Sequence, residues 1–79
     1  MVTVRFWAGA RAAAGGPEEE LAAETIGDLL AALNGRAALT PVLAVSTLLV
    51  DGTAAPAHDP DRQLADGSVV DVLPPFAGG

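Results

Sequence analysis

Thr25-Ile26-Gly27-Asp28-Leu29-Leu30-Ala31-Ala32-Leu33-Asn34-Gly35 is the stretch that decides the fold. Ile26, Leu29, Leu30 and Leu33 recur at i, i+3, i+4 and i+7, which places them on one apolar stripe of an α-helix. Thr25 suits the N-cap, where its hydroxyl can accept a backbone N–H of the first turn. Asp28, three residues on, imitates the second half of a capping box with a shorter side chain than the usual Glu. Asn34-Gly35 supplies the C-terminal stop. A helix with one apolar stripe needs an apolar surface to lie on, and the flanking segments supply a sheet.

Upstream, Val2-Thr3-Val4-Arg5-Phe6-Trp7-Ala8 alternates and is rich in strand formers. Val2, Val4 and Phe6 share one face, and Thr3, Arg5 and Trp7 share the other. Downstream, Ser46-Thr47-Leu48-Leu49-Val50 reads as a strand, Asp51-Gly52 as a two-residue hairpin turn, and Thr53-Ala54-Ala55 as a short return stopped by Pro56. Ser68-Val69-Val70-Asp71-Val72-Leu73 is the last strand. Val70 and Val72 face the core, while Val69, Asp71 and Leu73 face outward, Asp71 toward solvent. The first and last strands carry the strongest alternation and are expected to pair at the centre. This is an α+β chain of the β-grasp type: a mixed sheet with one main helix packed on one face. The domain is expected to cover residues 1–73, with 74–79 as an extended C-terminal tail.

The remaining segments are connections. Gly9 to Gly16 reads as a short helical turn or loop, broken by Gly15-Gly16-Pro17. Glu18-Glu19-Glu20-Leu21-Ala22 reads as a second strand, hairpin-paired with the first, its three glutamates forming a solvated edge that discourages edge pairing. Arg36 to Ala44 reads as a second short helix or a turn, interrupted at Pro41, with Leu39 and Leu43 inward. Asp59-Pro60-Asp61 and Asp66-Gly67 are turn signatures, and Asp51 and Asp66 are turn residues first. His58, beside Asp59 and Asp61, reads as surface loop, because one histidine is no metal site without converging ligands.

Composition narrows the chemistry. Seventy-nine residues, 51% of them hydrophobic, make one domain able to fold alone. Cysteine is absent, which removes disulfides, thiolate catalysis and thiolate metal sites together. The net charge of −6 argues against nucleic acid and favours a partner with a basic surface. All four basic residues are arginines: Arg5, Arg11, Arg36 and Arg62. No run is long enough to span a bilayer, and no export signal opens the chain, so a cytoplasmic location is expected. No pair of carboxylates is spaced for acid–base work, and no Gly-rich phosphate loop is present.

The chain closes on Leu73-Pro74-Pro75-Phe76-Ala77-Gly78-Gly79. Pro74 and Pro75 fix φ and end the strand. Gly78 and Gly79 lack Cβ and can enter a slot too narrow for any other residue. Seven residues reach roughly 20 Å when extended. This ending, with Leu49-Val50-Asp51-Gly52 and Leu64-Ala65-Asp66-Gly67 before it, resembles the ubiquitin-like sulfur carriers of the MoaD/ThiS family. The resemblance covers essentially the whole chain. The Pro-Pro-x-x-Gly-Gly ending is most similar to the small subunit of molybdopterin synthase.

The resemblance implies a carrier rather than a catalyst. A ubiquitin-activating-type adenylyltransferase would use MgATP to convert the Gly79 carboxylate to an acyl-adenylate, the nucleotide belonging to that partner and no cofactor to this chain. Sulfur from a sulfurtransferase or persulfide donor would displace AMP and leave a C-terminal thiocarboxylate. The molybdopterin synthase large subunit, or another sulfur-acceptor enzyme, would then accept the tail. Related carriers serve thiamine, cysteine or thio-natural-product synthesis, and a ubiquitin-like protein modifier would be conjugated through the same Gly79. Around the tail, Trp7 and Leu73 lie on one expected side of adjoining strands. With Pro74, Pro75, Phe76 and Ala77 they are candidate partner-binding residues, since an exposed apolar patch marks an interface and Trp is a frequent anchor. Alternatively Trp7 is covered by its own loops and Phe76 packs on the sheet. Arg11 and Arg5 are candidate charged contacts or solvated surface.

Overall fold

The computed structural model describes residues 1–55 and 59–75. Its elements are β1 (Val2–Phe6), α1 (Gly9–Ala14), β2 (Glu18–Leu21), α2 (Ile26–Asn34), α3 (Thr40–Val45), β3 (Thr47–Val50), β4 (Thr53–Ala55) and β5 (Val69–Leu73). The strands form one mixed sheet in the order β2-β1-β5-β3-β4. β1 and β5 run parallel at its centre, and the other neighbours are antiparallel. The expected central pairing and the β-grasp architecture are both present.

Strand alternation builds the core. Val2, Val4 and Phe6 of β1, Leu48 and Val50 of β3 and Val70 and Val72 of β5 are buried in one cluster with Ile26, Leu29 and Leu33 of α2. Each such side chain, fully removed from water, contributes about 1.5–3 kcal/mol. Leu30 is only partly buried. At about 100° per residue it lies roughly 65° from the centre of the arc that Ile26, Leu29 and Leu33 share, so it packs on the flank. Leu39, Leu43 and Ala10 add the inward residues of the shorter helices and their approach.

The ends of α2 differ in detail from the sequence reading. The Thr25 hydroxyl accepts from Asp28 N at 3.1 Å, as a cap should. The Asp28 carboxylate reaches back to Glu24 N at 3.1 Å, one residue before the cap. Gly35 ends the helix in right-handed conformation, φ −66°, so the stop does not use glycine's left-handed freedom. Gly27 is needed for a different reason. Its N–H donates to Pro60 O at 2.8 Å, and a Cβ there would sit 3.0 Å from that same oxygen. The 59–64 loop is thereby stitched to the start of α2, helped by Ile26 N to Arg62 O and Leu64 N to Glu24 O.

Pro41 does not interrupt a helix. It occupies the first turn of α3, where a missing N–H leaves no bond unmade. The segment from Gly9 is a true helix, closed by Gly15 at φ 83°. The acidic strand β2 is the sheet edge, as expected, but its glutamates are not all solvated. Register places Glu19 opposite Val4 on the helix side, where Arg36 bridges it and also donates to Ala14 O. At the opposite end, Asp51 at φ 49° and Gly52 at φ 85° form the hairpin turn. The Asp51 carboxylate accepts from Val69 N at 2.9 Å and Ser68 Oγ at 3.0 Å, so it pins the start of β5 as well as making a turn. Asp66 accepts from the Met1 ammonium at 2.6 Å, and that bond and charge hold its carboxyl below the usual carboxylate range.

Candidate functional site

The parallel register of β1 with β5 pairs Phe6 with Val72, which brings Trp7 alongside Leu73 where the chain leaves the sheet. The Trp7 N–H continues the ladder to Val72 O at 3.3 Å. Trp7 is 37% exposed, and Leu73 is half-buried beside it on the outward face. Pro74 is buried and Pro75 exposed. Phe76, Ala77, Gly78 and Gly79 lie outside the described residues, as does His58. The structure thus brings together Trp7, Leu73 and the two prolines at the root of the tail.

Asp71 departs from expectation. Its side chain is only 14% exposed, because two neighbours on the outer face cover it. Trp7 Nε1 donates to Asp71 Oδ1 at 2.9 Å. Arg5 Nε lies 3.0 Å from the same oxygen, and the Arg5 guanidinium stacks 5.1 Å from the centre of the Trp7 ring. The sequence carried the signal for this: a charge inside an apolar strand needs a partner, and Arg5 is the matching charge on the strand expected beside it.

Arg11 stands on α1, just past Trp7. Arg5, Phe6, Trp7, Arg11, Pro17 and Glu18 line an open cleft of about 200 Å³. Two of the four arginines of an acidic chain therefore flank one depression next to Trp7. Among the described residues, no three or more His, Asp or Glu side chains converge in a way that could hold a metal ion. No described helix is long and apolar enough to cross a membrane.

Backbone geometry at this corner is set by Ala8, which no sequence signal marks. It takes φ 48°, ψ −127°, a conformation that favours glycine. This turn lets Ala10 N reach Trp7 O at 2.9 Å and starts α1 directly after the indole. Ala8→Gly should therefore stabilise the domain by about 1 kcal/mol: relief of strain worth ~1–3 kcal/mol, less the entropy of a glycine at ~0.5–1 kcal/mol. Urea denaturation checks this, and a lowered midpoint would refute the strain.

The fold recurs in solved structures. The chain is 26% identical to a chain of the complex of subunits 1 and 2 of molybdopterin-converting factor from Helicobacter pylori, with TM-score 0.79, covering 99% of this chain and 97% of that one. It is 28% identical to small archaeal modifier protein 1 from Methanosarcina acetivorans, with TM-score 0.81, covering 99% and 95%. A chain of the BexX/CysO complex from Amycolatopsis orientalis shares the fold at 20% identity and TM-score 0.77, with full coverage of both chains. Among curated proteins none matches. Residues 4–79 match the ThiS family. With that match over nearly its whole length, and with the β-grasp sheet these neighbours share, the chain belongs to the ThiS family and is a ubiquitin-like sulfur carrier of that type.

Proposed function

We propose that this chain carries sulfur for molybdopterin formation, as the small subunit of a molybdopterin synthase, with the terminal carboxylate of Gly79 as its working group. The observation that carries the proposal is the juxtaposition of an exposed Trp7 with Leu73 at the root of a Gly-Gly ending. The likeness to subunit 1 of molybdopterin-converting factor, found in complex with subunit 2, favours this acceptor. A carboxylate is a poor electrophile until its oxygen becomes a good leaving group. Attack of the Gly79 carboxylate on the α-phosphorus of MgATP, with loss of pyrophosphate, makes the acyl-adenylate. A persulfide sulfur then displaces AMP, and thiol cleavage of the S–S bond leaves the thiocarboxylate. The catalytic groups for these steps belong to the adenylyltransferase and the sulfur donor; this chain supplies the acyl group and the docking face.

Intact-mass spectrometry of the protein from its own host tests the proposal. A carrier shows a form with one oxygen exchanged for sulfur, and the acceptor that co-purifies identifies the pathway. The likeness to a small archaeal modifier protein favours a second reading, conjugation through Gly79 to other proteins. Covalent adducts with larger proteins and no thioacid form would select it. An acceptor of the thiamine, cysteine or thio-natural-product kind would move the pathway and leave the tail chemistry in place.

The docking face makes its own prediction. Trp7→Ala should weaken binding to the activating enzyme by about 2 kcal/mol, roughly thirtyfold, because a central aromatic anchor dominates such interfaces. Leu73→Ala should cost less, in proportion to its half-buried state. Titration calorimetry reads both, and unchanged affinity in the two variants would remove this face from the interface.

A further inference from the structure

On the outer sheet face, one carboxylate gathers two side chains of the neighbouring strand and its extension. Asp71 Oδ1 takes the Trp7 Nε1–H at 2.9 Å and lies 3.0 Å from Arg5 Nε, while Arg5 stacks on the indole. Arg5 and Asp71 are register partners across the parallel β1·β5 ladder, so the sheet itself builds this cluster. Trp7 lies just beyond β1, with a single long backbone bond to Val72 O on that side. A half-exposed indole in that place, if unheld, would sample several rotamers, and docking would have to order it.

We propose that Asp71, braced by Arg5, is a positioning residue that fixes the Trp7 indole in its docking orientation before any partner arrives. The proposal rests on the carrier reading for the identity of the partner, and on the free chain's geometry for the rest. Asp71 acts through Trp7: its near-complete cover leaves little surface to offer a partner directly. The same contact removes the polar demand of the anchor's edge, because the indole N–H is already satisfied. The partner pocket that fits it is therefore apolar at the indole edge and carries no acceptor aimed at Nε1.

Trp7 is the sole tryptophan, so its fluorescence reports on this cluster alone. In the free protein, Asp71→Ala should lower the steady-state anisotropy of the indole and raise its quenching by acrylamide. Asp71→Asn, which keeps a carbonyl acceptor, should change both less and guards against misfolding of the alanine variant. Binding to the host's MgATP-dependent adenylyltransferase should weaken about three- to tenfold in Asp71→Ala, the effect of ordering one side chain on docking. In a Trp7→Phe background the same substitution should add less than a twofold change. Unaltered indole mobility in Asp71→Ala would overturn the positioning role. Fully additive losses in the double variant would overturn it too, by showing that Asp71 meets the partner itself. Failure of the wild-type protein to bind the adenylyltransferase would instead overturn the carrier reading, and the free-chain fluorescence would still decide the role of Asp71.

Discussion

Deleting Gly79 should abolish formation of a thioacid end and leave the thermal melt of the domain unchanged. Both halves of this expected result follow from where the tail is rooted. Among the described residues, the last buried ones are Val72 and Pro74, and none of the core cluster lies after them. Removing the last residue is expected to leave the fold in place, because the described core is complete without it. It does draw the carboxylate back by about 3.3 Å. A misplacement of ~1 Å can already reduce a reaction about a hundredfold, so a full residue takes the acyl carbon out of reach of the α-phosphorus. Gly79→Ala keeps the reach and adds a methyl group beside the acyl carbon, and should lose most of the activity for that reason. The measurement is intact mass after incubation with the activating enzyme, MgATP and a sulfur donor, with circular dichroism melts in parallel. A normal yield of thioacid from the deletion would falsify the assignment of Gly79.

The second large effect falls on stability. Phe6→Ala should destabilise the domain by about 3–5 kcal/mol, as for other buried phenylalanines truncated to alanine. A chain of this length holds only about 4–12 kcal/mol in all, so the variant should lose a large part of its folded margin. Among the described residues Phe6 is the largest fully buried side chain, and it stands at the end of the central strand β1, opposite Val72. Its N–H also donates to Pro17 O at 2.8 Å, which ties the end of β1 to the approach of β2. The core cannot collapse around the gap from a sheet paired on both sides. Urea unfolding followed by circular dichroism gives the number, and a loss below about 1 kcal/mol would mean that the site repacks. The comparison with Trp7→Ala is informative: adjacent residues, one expected to report on folding and the other on docking.

Periodicity made most of this legible. The α2 stripe, the alternation of Val2, Val4 and Phe6 and of Val70 and Val72, and the Asp51-Gly52 turn all act through local rules, and each appears where those rules put it. That Trp7 and Leu73 share a side of adjoining strands was also legible, because alternation fixes which side chains share a face; the parallel register that sets them alongside each other came from the structure. What escaped were contacts between segments distant in sequence. Asp71 read as solvent-facing because alternation assigns a face and says nothing of what lies over it. Glu19 read as one of three solvated charges, since its partner Arg36 is brought to it only by the packing of α2. Pro41 read as a break, although its missing N–H is harmless once the helix starts there. Ala8 carried no mark at all, because its backbone is dictated by the turn from β1 into α1.

The tail issues from β5, and β5 has β1 on one flank and β3 on the other. An enzyme that draws the tail into a slot pulls along a strand whose hydrogen bonds lie across the direction of the load on both sides. They must then give way together in shear, rather than peel one after another as they would from an edge strand. On the proposed carrier reading, a pull on the tail at a handover would load both flanking strands at once.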